Sequence, residues 1–193
     1  MAKTLIKPDG FMVPLPATLL SCQKPGETPN IITLSWVGVL CSEPPLIGVG
    51  IRPGRYSYGI VKETGEFVIN VPNEDQVAAS DYCGHVSGRK KDKFAECSLT
   101  AEKGSVVSAP IIKECPINIE CRVTQSIVLG SHELFIGEIV AIQVDENCLN
   151  DKGHVDIGKV KPFVYIPGSS EYVGGFDNLL GRGGFAAKKR TMQ

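Results

Sequence analysis

The stretch Asn30–Tyr58, NIITLSWVGVLCSEPPLIGVGIRPGRYSY, constrains this chain more than any other. Two apolar, β-branched runs flank a Ser-Glu-Pro-Pro turn, which is the grammar of two strands joined tightly. The second run stops at Pro53 and Gly54. A helix is predicted from about Tyr56 to Glu63, with Gly65 just past its end. A strand therefore runs into a helix start, where unpaired N–H groups and a partial positive charge collect. Arg52, Arg55 and Ser57 crowd that point and suit it to an anion. A solvated basic turn capped by serine has the same local pattern.

Strand signals dominate the rest. The candidates are Thr18–Gln23, Ile31–Val37, Leu46–Arg52, Glu66–Val71, Pro116–Leu129, Glu133–Val144 and Phe163–Ile166. Between Ile117 and Val123 apolar residues alternate with Asn118, Glu120 and Arg122, which predicts one wet face. Leu134–Val144 is apolar on almost both faces, so it belongs at the centre of a sheet or under a partner subunit. Leu129–Glu133 reads as a tight hairpin with Gly130 free to take a positive φ. A second helix should start at Asn73 as N-cap, with Gln76 three residues on, and run to about Tyr82. Lys91–Glu96 suits one further helical turn. With no regular βαβ alternation, the pattern predicts a mainly β fold: a closed or nearly closed antiparallel barrel with a few short helices at its mouth. A length of 193 residues suits one domain, taken as residues 1–173. Residues 174–193, glycine-rich and then basic at Lys188, Lys189 and Arg190, read as an arm over the surface or a neighbour.

Charge and cysteine usage exclude several classes. A formal net charge of −1 argues against nucleic-acid binding, which needs a basic face. Met1–Gly10 is polar and lacks the apolar centre of a signal peptide, and no run approaches the ~20 apolar residues of a membrane helix. The seven cysteines are odd in number, irregularly spaced and free of CxxC pairs. Reduced thiols in the cytoplasm are expected, with no structural zinc or iron–sulfur site.

Three further segments carry candidate chemistry. Thr33-Leu-Ser-Trp36-Val-Gly38 leads into Cys41-Ser42 and contains the only tryptophan. Trp36 suits a core position or the wall of a flat ring, and Ser35, Gly38 and Ser42 leave room beside it. Asp81–Gly88 followed by Lys91–Phe94 reads as a polar surface loop or as a lid. As a lid, it would place Lys93 to neutralise a phosphate or an anionic ring. His132, at a hairpin end, suits proton donation, ring contact or plain surface exposure. His85 and His154 are weaker candidates. Together these features suit a flat aromatic ligand carrying a phosphate.

Taken in order, NIITLSWVGVLCSEPPL, IRPGRYSYGIVKETGEFVINVP, DYCGHVSGRKKDKF, CPINIECRV and GSHELFIGEIV resemble the flavin-reductase-like FMN-binding split-barrel family, its flavoredoxins in particular. The resemblance covers about residues 30–144. It implies a six-stranded antiparallel split barrel and a homodimer with one FMN per subunit. The implied cofactor-binding set is Asn30, Thr33, Ser35, Trp36, Cys41, Ser42, Arg52, Ser57, Tyr58, Lys93 and His132. Cys41 and His132 are the implied catalytic pair. The expected role is a flavoprotein that relays electrons, fed by a redox protein or NAD(P)H. The alternatives are an NAD(P)H-dependent flavin or ferric reductase and a non-catalytic FMN-binding protein.

Overall fold

The computed structural model describes residues 1–10, 12–181 and 183. Its strands are β1 (Leu15–Pro16), β2 (Thr18–Cys22), β3 (Asn30–Leu34), β4 (Val37–Cys41), β5 (Leu46–Ile51), β6 (Glu66–Val71), β7 (Ala101–Glu102), β8 (Ile111–Ile112), β9 (Ile117–Leu129), β10 (His132–Val144), β11 (Val164–Ile166) and β12 (Glu171–Val173). The α-helices are α1 (Tyr56–Thr64), α2 (Val77–His85), α3 (Lys93–Glu96) and α4 (Ile157–Val160). None is long and apolar enough to cross a membrane.

Seven strands form one antiparallel sheet in the order β3-β2-β6-β9-β10-β5-β4. β3 and β4 lie at its opposite edges, yet only Ser35 and Trp36 separate them in the chain. The step from Leu34 to Val37 spans at most about 11 Å, so the sheet has to curl until its edges nearly meet. The result is a split barrel whose seam is crossed by Ser35–Trp36. The count is seven strands where six were expected. The apolar run Ile31–Val37 bends at Ser35–Trp36, and the chain beyond it pairs with β5 as a separate edge strand.

The barrel interior holds Leu20, Ile32, Val49, Ile51, Phe67 and Phe135, together with Ile60 and Val61 from α1. Burial of each such side chain contributes about 1.5–3 kcal/mol. Gly137 in β10 lies where an added Cβ would stand 2.8 Å from the Phe67 ring, so this glycine lets the ring fill the centre. On the outer face, Leu19 and Ile31 pack under α2 and α3 with Phe94 and Ile112. β2 is therefore buried on both sides. Gly65, with φ 66°, ends α1 in the left-handed conformation the sequence predicts.

Of the predicted wet face of β9, only Arg122 is exposed. Asn118 and Glu120 are both buried. The loop over residues 104–109 folds back across Glu120, which accepts hydrogen bonds from the backbone N–H groups of Ser105, Val106 and Val107 at 2.8, 2.7 and 2.8 Å. Burial pushes this carboxyl up, but the Ser105 hydroxyl and those three N–H groups outweigh it and hold the value at about 2. Beside it, the buried Asn70 side chain donates to Leu19 O and Ser21 Oγ, both at 2.9 Å. Its Oδ1 accepts from the Ile112 N–H at 2.9 Å and from Asn118 Nδ2 at 2.8 Å. The expected arm begins at Gly174, and Gly175 N–H donates to Glu74 at 2.7 Å. Lys188, Lys189 and Arg190 lie outside the described residues.

Candidate functional site

A cavity of about 310 Å³ opens at the barrel seam. The Thr33–Trp36 backbone, Gly50 and Arg52 form its inner wall. Its other wall comes from Gly84 and His85 at the end of α2 and from Tyr165 and Tyr172 on the β11–β12 hairpin. The Thr33 hydroxyl donates to Ser80 O and so ties β3 to α2. Tyr172 donates to Asp81 Oδ1 at 3.2 Å, which holds the hairpin over α2. Burial first, then the Asp81 carboxylate, pushes the Tyr172 phenol up to about 12.

Through Ile32, Arg55 and Gly84 this cavity continues into a smaller pocket of about 80 Å³ at the start of α1. No side chain caps that helix, and its first turn holds no acidic residue. Its first N–H groups therefore remain suited to an anion. Ser57, in the first turn, is buried and accepts from Asn30 Nδ2 at 2.7 Å, so its own hydroxyl hydrogen is the one left to donate. Lys93 reaches the same pocket from α3. The residue is only 3% exposed, and its ammonium donates to Cys83 O at 2.8 Å and pairs with no carboxylate among the described residues. An ammonium carries three N–H donors, so this one is short of acceptors. Burial pulls the Lys93 amine below its usual range. The pocket's roof is tight: a Cβ on Gly88 would overlap Asn30 Oδ1 at 1.8 Å, so only glycine closes the loop there.

His132 stacks on Trp36, with ring centroids 5.5 Å apart and planes 15° from parallel. Its Nε2 accepts from Arg52 Nε at 3.3 Å. That assigns the ring hydrogen to Nδ1, which donates to Ser131 Oγ at 2.9 Å. Partial burial first, and then the Arg52 charge, lower the His132 pKa. The imidazole is therefore neutral near pH 7.

The structure thus gathers Asn30, Thr33, Ser35, Trp36, Arg52, Ser57, Lys93 and His132 along one trough. Three expected residues stand apart from it within this subunit. Tyr58 turns to the other side of α1, where its hydroxyl donates to the buried Glu133 at 2.5 Å. Ser126, Tyr58 and Lys62 hold that carboxyl down at about 2. Cys41 ends β4 and Ser42 opens the turn beyond it; Cys41 Sγ contacts Glu43 O at 3.3 Å. Sequence reasoning missed Tyr165 and Tyr172. The Pro167-Gly168 pair between them, with Gly168 at φ 94°, is a turn signal that would have marked their hairpin.

A curled antiparallel sheet with a slot and an adjoining pocket at its seam defines the class of split-barrel proteins. Within it, the chain belongs to the flavin reductase like domain family, whose model matches residues 11–173. The solved flavoredoxin of Desulfovibrio vulgaris (Miyazaki F) is 36% identical, with a TM-score of 0.91 over 96% of this chain and 100% of that one. An uncharacterised protein of Archaeoglobus fulgidus is 41% identical over 116 residues. That match covers 60% of this chain and 66% of the relative, just under two thirds of its length. The FMN-binding protein from Thermus thermophilus, solved with 1-cyclohex-2-enone, shares the fold at 22% identity and a TM-score of 0.78, over 94% of this chain and 98% of that one.

Proposed function

We propose that the protein binds FMN and serves as a flavoredoxin-like electron carrier. The observation that carries this reading is the continuous trough, in which the Thr33–Trp36 wall leads to a buried, acceptor-poor Lys93 at an uncapped helix start. Those residues fit the cofactor. The slot takes the tricyclic ring, and Arg55, Ser57, Lys93 and the first N–H groups of α1 take the phosphate. Bound there, FMN supplies one- and two-electron redox chemistry. Trp36 and the tyrosine hairpin flank the slot. His132 holds a proton on Nδ1 and presents neutral Nε2 toward Arg52, beside the ring position.

Beyond Trp36, Gly50 and His132 lies an apolar groove of about 370 Å³ that also involves Leu40, Leu129 and Leu134. Leu40 and Leu129 are more than half exposed. A second subunit covering that groove would form the homodimer and would bring its own residues to the slot's edge. The same opening beside the slot favours a second reading, an NAD(P)H-dependent reductase with room for another flat group.

The test is to add FMN to the purified protein, pass it through gel filtration and record the spectrum. A yellow protein with flavin bands is expected, and a colourless one would overturn the reading. Mixing the yellow protein with NADH or NADPH in a stopped-flow instrument separates the roles. Rapid bleaching means reductase, and bleaching only by a protein donor means carrier.

A further inference from the structure

Two cysteines that the proposed function leaves unused meet beside the phosphate pocket. Cys83, on α2, and Cys97, just after α3, place their sulfurs 3.8 Å apart. Cys83 is fully buried and lines that pocket, and its carbonyl is the acceptor for Lys93. Cys97 is half-buried and gives the pair its access to solvent. Between the two run the groups that wrap the ligand: Gly84 and His85 at the ring slot, then Gly88 and Lys93 at the anion pocket. A bond between the two sulfurs would tie both ends of the wrapping segment together.

We infer that Cys83 and Cys97 form a reversible dithiol–disulfide site, oxidised by a low-molecular-weight disulfide, that locks this segment over the bound phosphate. Cys97, as thiolate, attacks one sulfur of the small disulfide; that S–S bond breaks, one small thiol leaves and a mixed disulfide forms at Cys97. Cys83 then attacks the Cys97 sulfur, the second small thiol leaves and the Cys83–Cys97 bond closes. The two cysteines lose two electrons. The two released small thiols gain them and the two protons. Burial raises both cysteine thiols, Cys83 to about 12, so exchange is slow at neutral pH and quickens as pH rises. Closing a loop of this length restricts opening of the segment, and release of the ligand slows by roughly tenfold or more.

The inference rests on the FMN reading for its effect, while the bond itself is read independently. The full-length protein, with and without FMN, is incubated with glutathione disulfide at pH 8.5 and digested for mass spectrometry. A linked Cys83–Cys97 peptide, 2 Da lighter than the two free peptides and reversed by dithiothreitol, is the expected result. FMN release, followed by the return of flavin fluorescence, slows after oxidation of wild type, and oxidation leaves the rate of Cys97→Ser unaltered. A stable glutathione adduct on Cys97 with no linked peptide would overturn the site. A linked peptide with unchanged FMN release would overturn the lock. Should the protein bind no FMN, the cofactor reading and the lock fall, and the linked peptide alone still decides the dithiol site.

Discussion

Lys93 is the residue where structure and proposed function depend on each other most directly. An ammonium buried with one backbone acceptor is unfavourable until an anion reaches it. Lys93→Met should therefore weaken FMN binding by about 2–3 kcal/mol, roughly 30- to 160-fold in Kd, yet leave riboflavin binding nearly unchanged. The same change should raise the melting temperature of the ligand-free protein. Fluorescence titration and thermal denaturation read the two effects. The sign with pH follows from the lowered amine. In the window below 10.5 the unfolded chain binds more protons than the folded one, so the free protein gains stability as pH rises through it. His132 has its own signature. Removing the Arg52 charge with Arg52→Gln should move the imidazole titration upward toward 6.5, as followed by NMR, while burial keeps it from recovering fully.

Among the elements, the loop over residues 104–109 depends on one carboxylate. Glu120→Ala removes the acceptor for three backbone N–H groups and should cost about 3 kcal/mol in urea unfolding. In wild type this carboxyl is depressed from 4.5 to about 2. Its contribution is therefore complete above about pH 4.5 and is lost as pH falls toward 2. That strut also shows what local pattern hides. Alternation in Ile117–Val123 correctly announces a strand, but it cannot reveal a loop from fifteen positions earlier folding over the polar side. The strand–helix junction at Arg52–Tyr58 was legible because proline, glycine and a helix start are local signals. So was the trough wall at Thr33–Trp36, where hydroxyls and the one tryptophan interrupt an apolar run. Tyr165 and Tyr172 were not. The pairing of β1 with β11 and the Tyr172–Asp81 bond bring them to a slot whose Thr33–Arg52 wall lies more than a hundred positions away.

For the molecule as a whole, the exposed apolar groove at Leu40 and Leu129 is the feature that a lone subunit leaves unexplained. If a second copy covers it, Leu129→Asp, at the tip of β9, should halve the mass seen in sedimentation while the far-ultraviolet spectrum stays unchanged. A wild type that sediments as a single subunit would remove the dimer from the proposal.

The Asn70 cluster bears on how such a chain is made. Its partners Leu19, Ser21, Ile112 and Asn118 lie 42 to 51 positions away on either side. A nascent product still on the ribosome, with nothing beyond about residue 110 yet released, has Leu19 and Ser21 for that amide but neither Ile112 nor Asn118, so the sixth strand lacks its lock to the eighth and ninth. Contacts of such span are slow to close. Commitment to the native state therefore waits until well over half the polypeptide has emerged, and any earlier collapse is provisional.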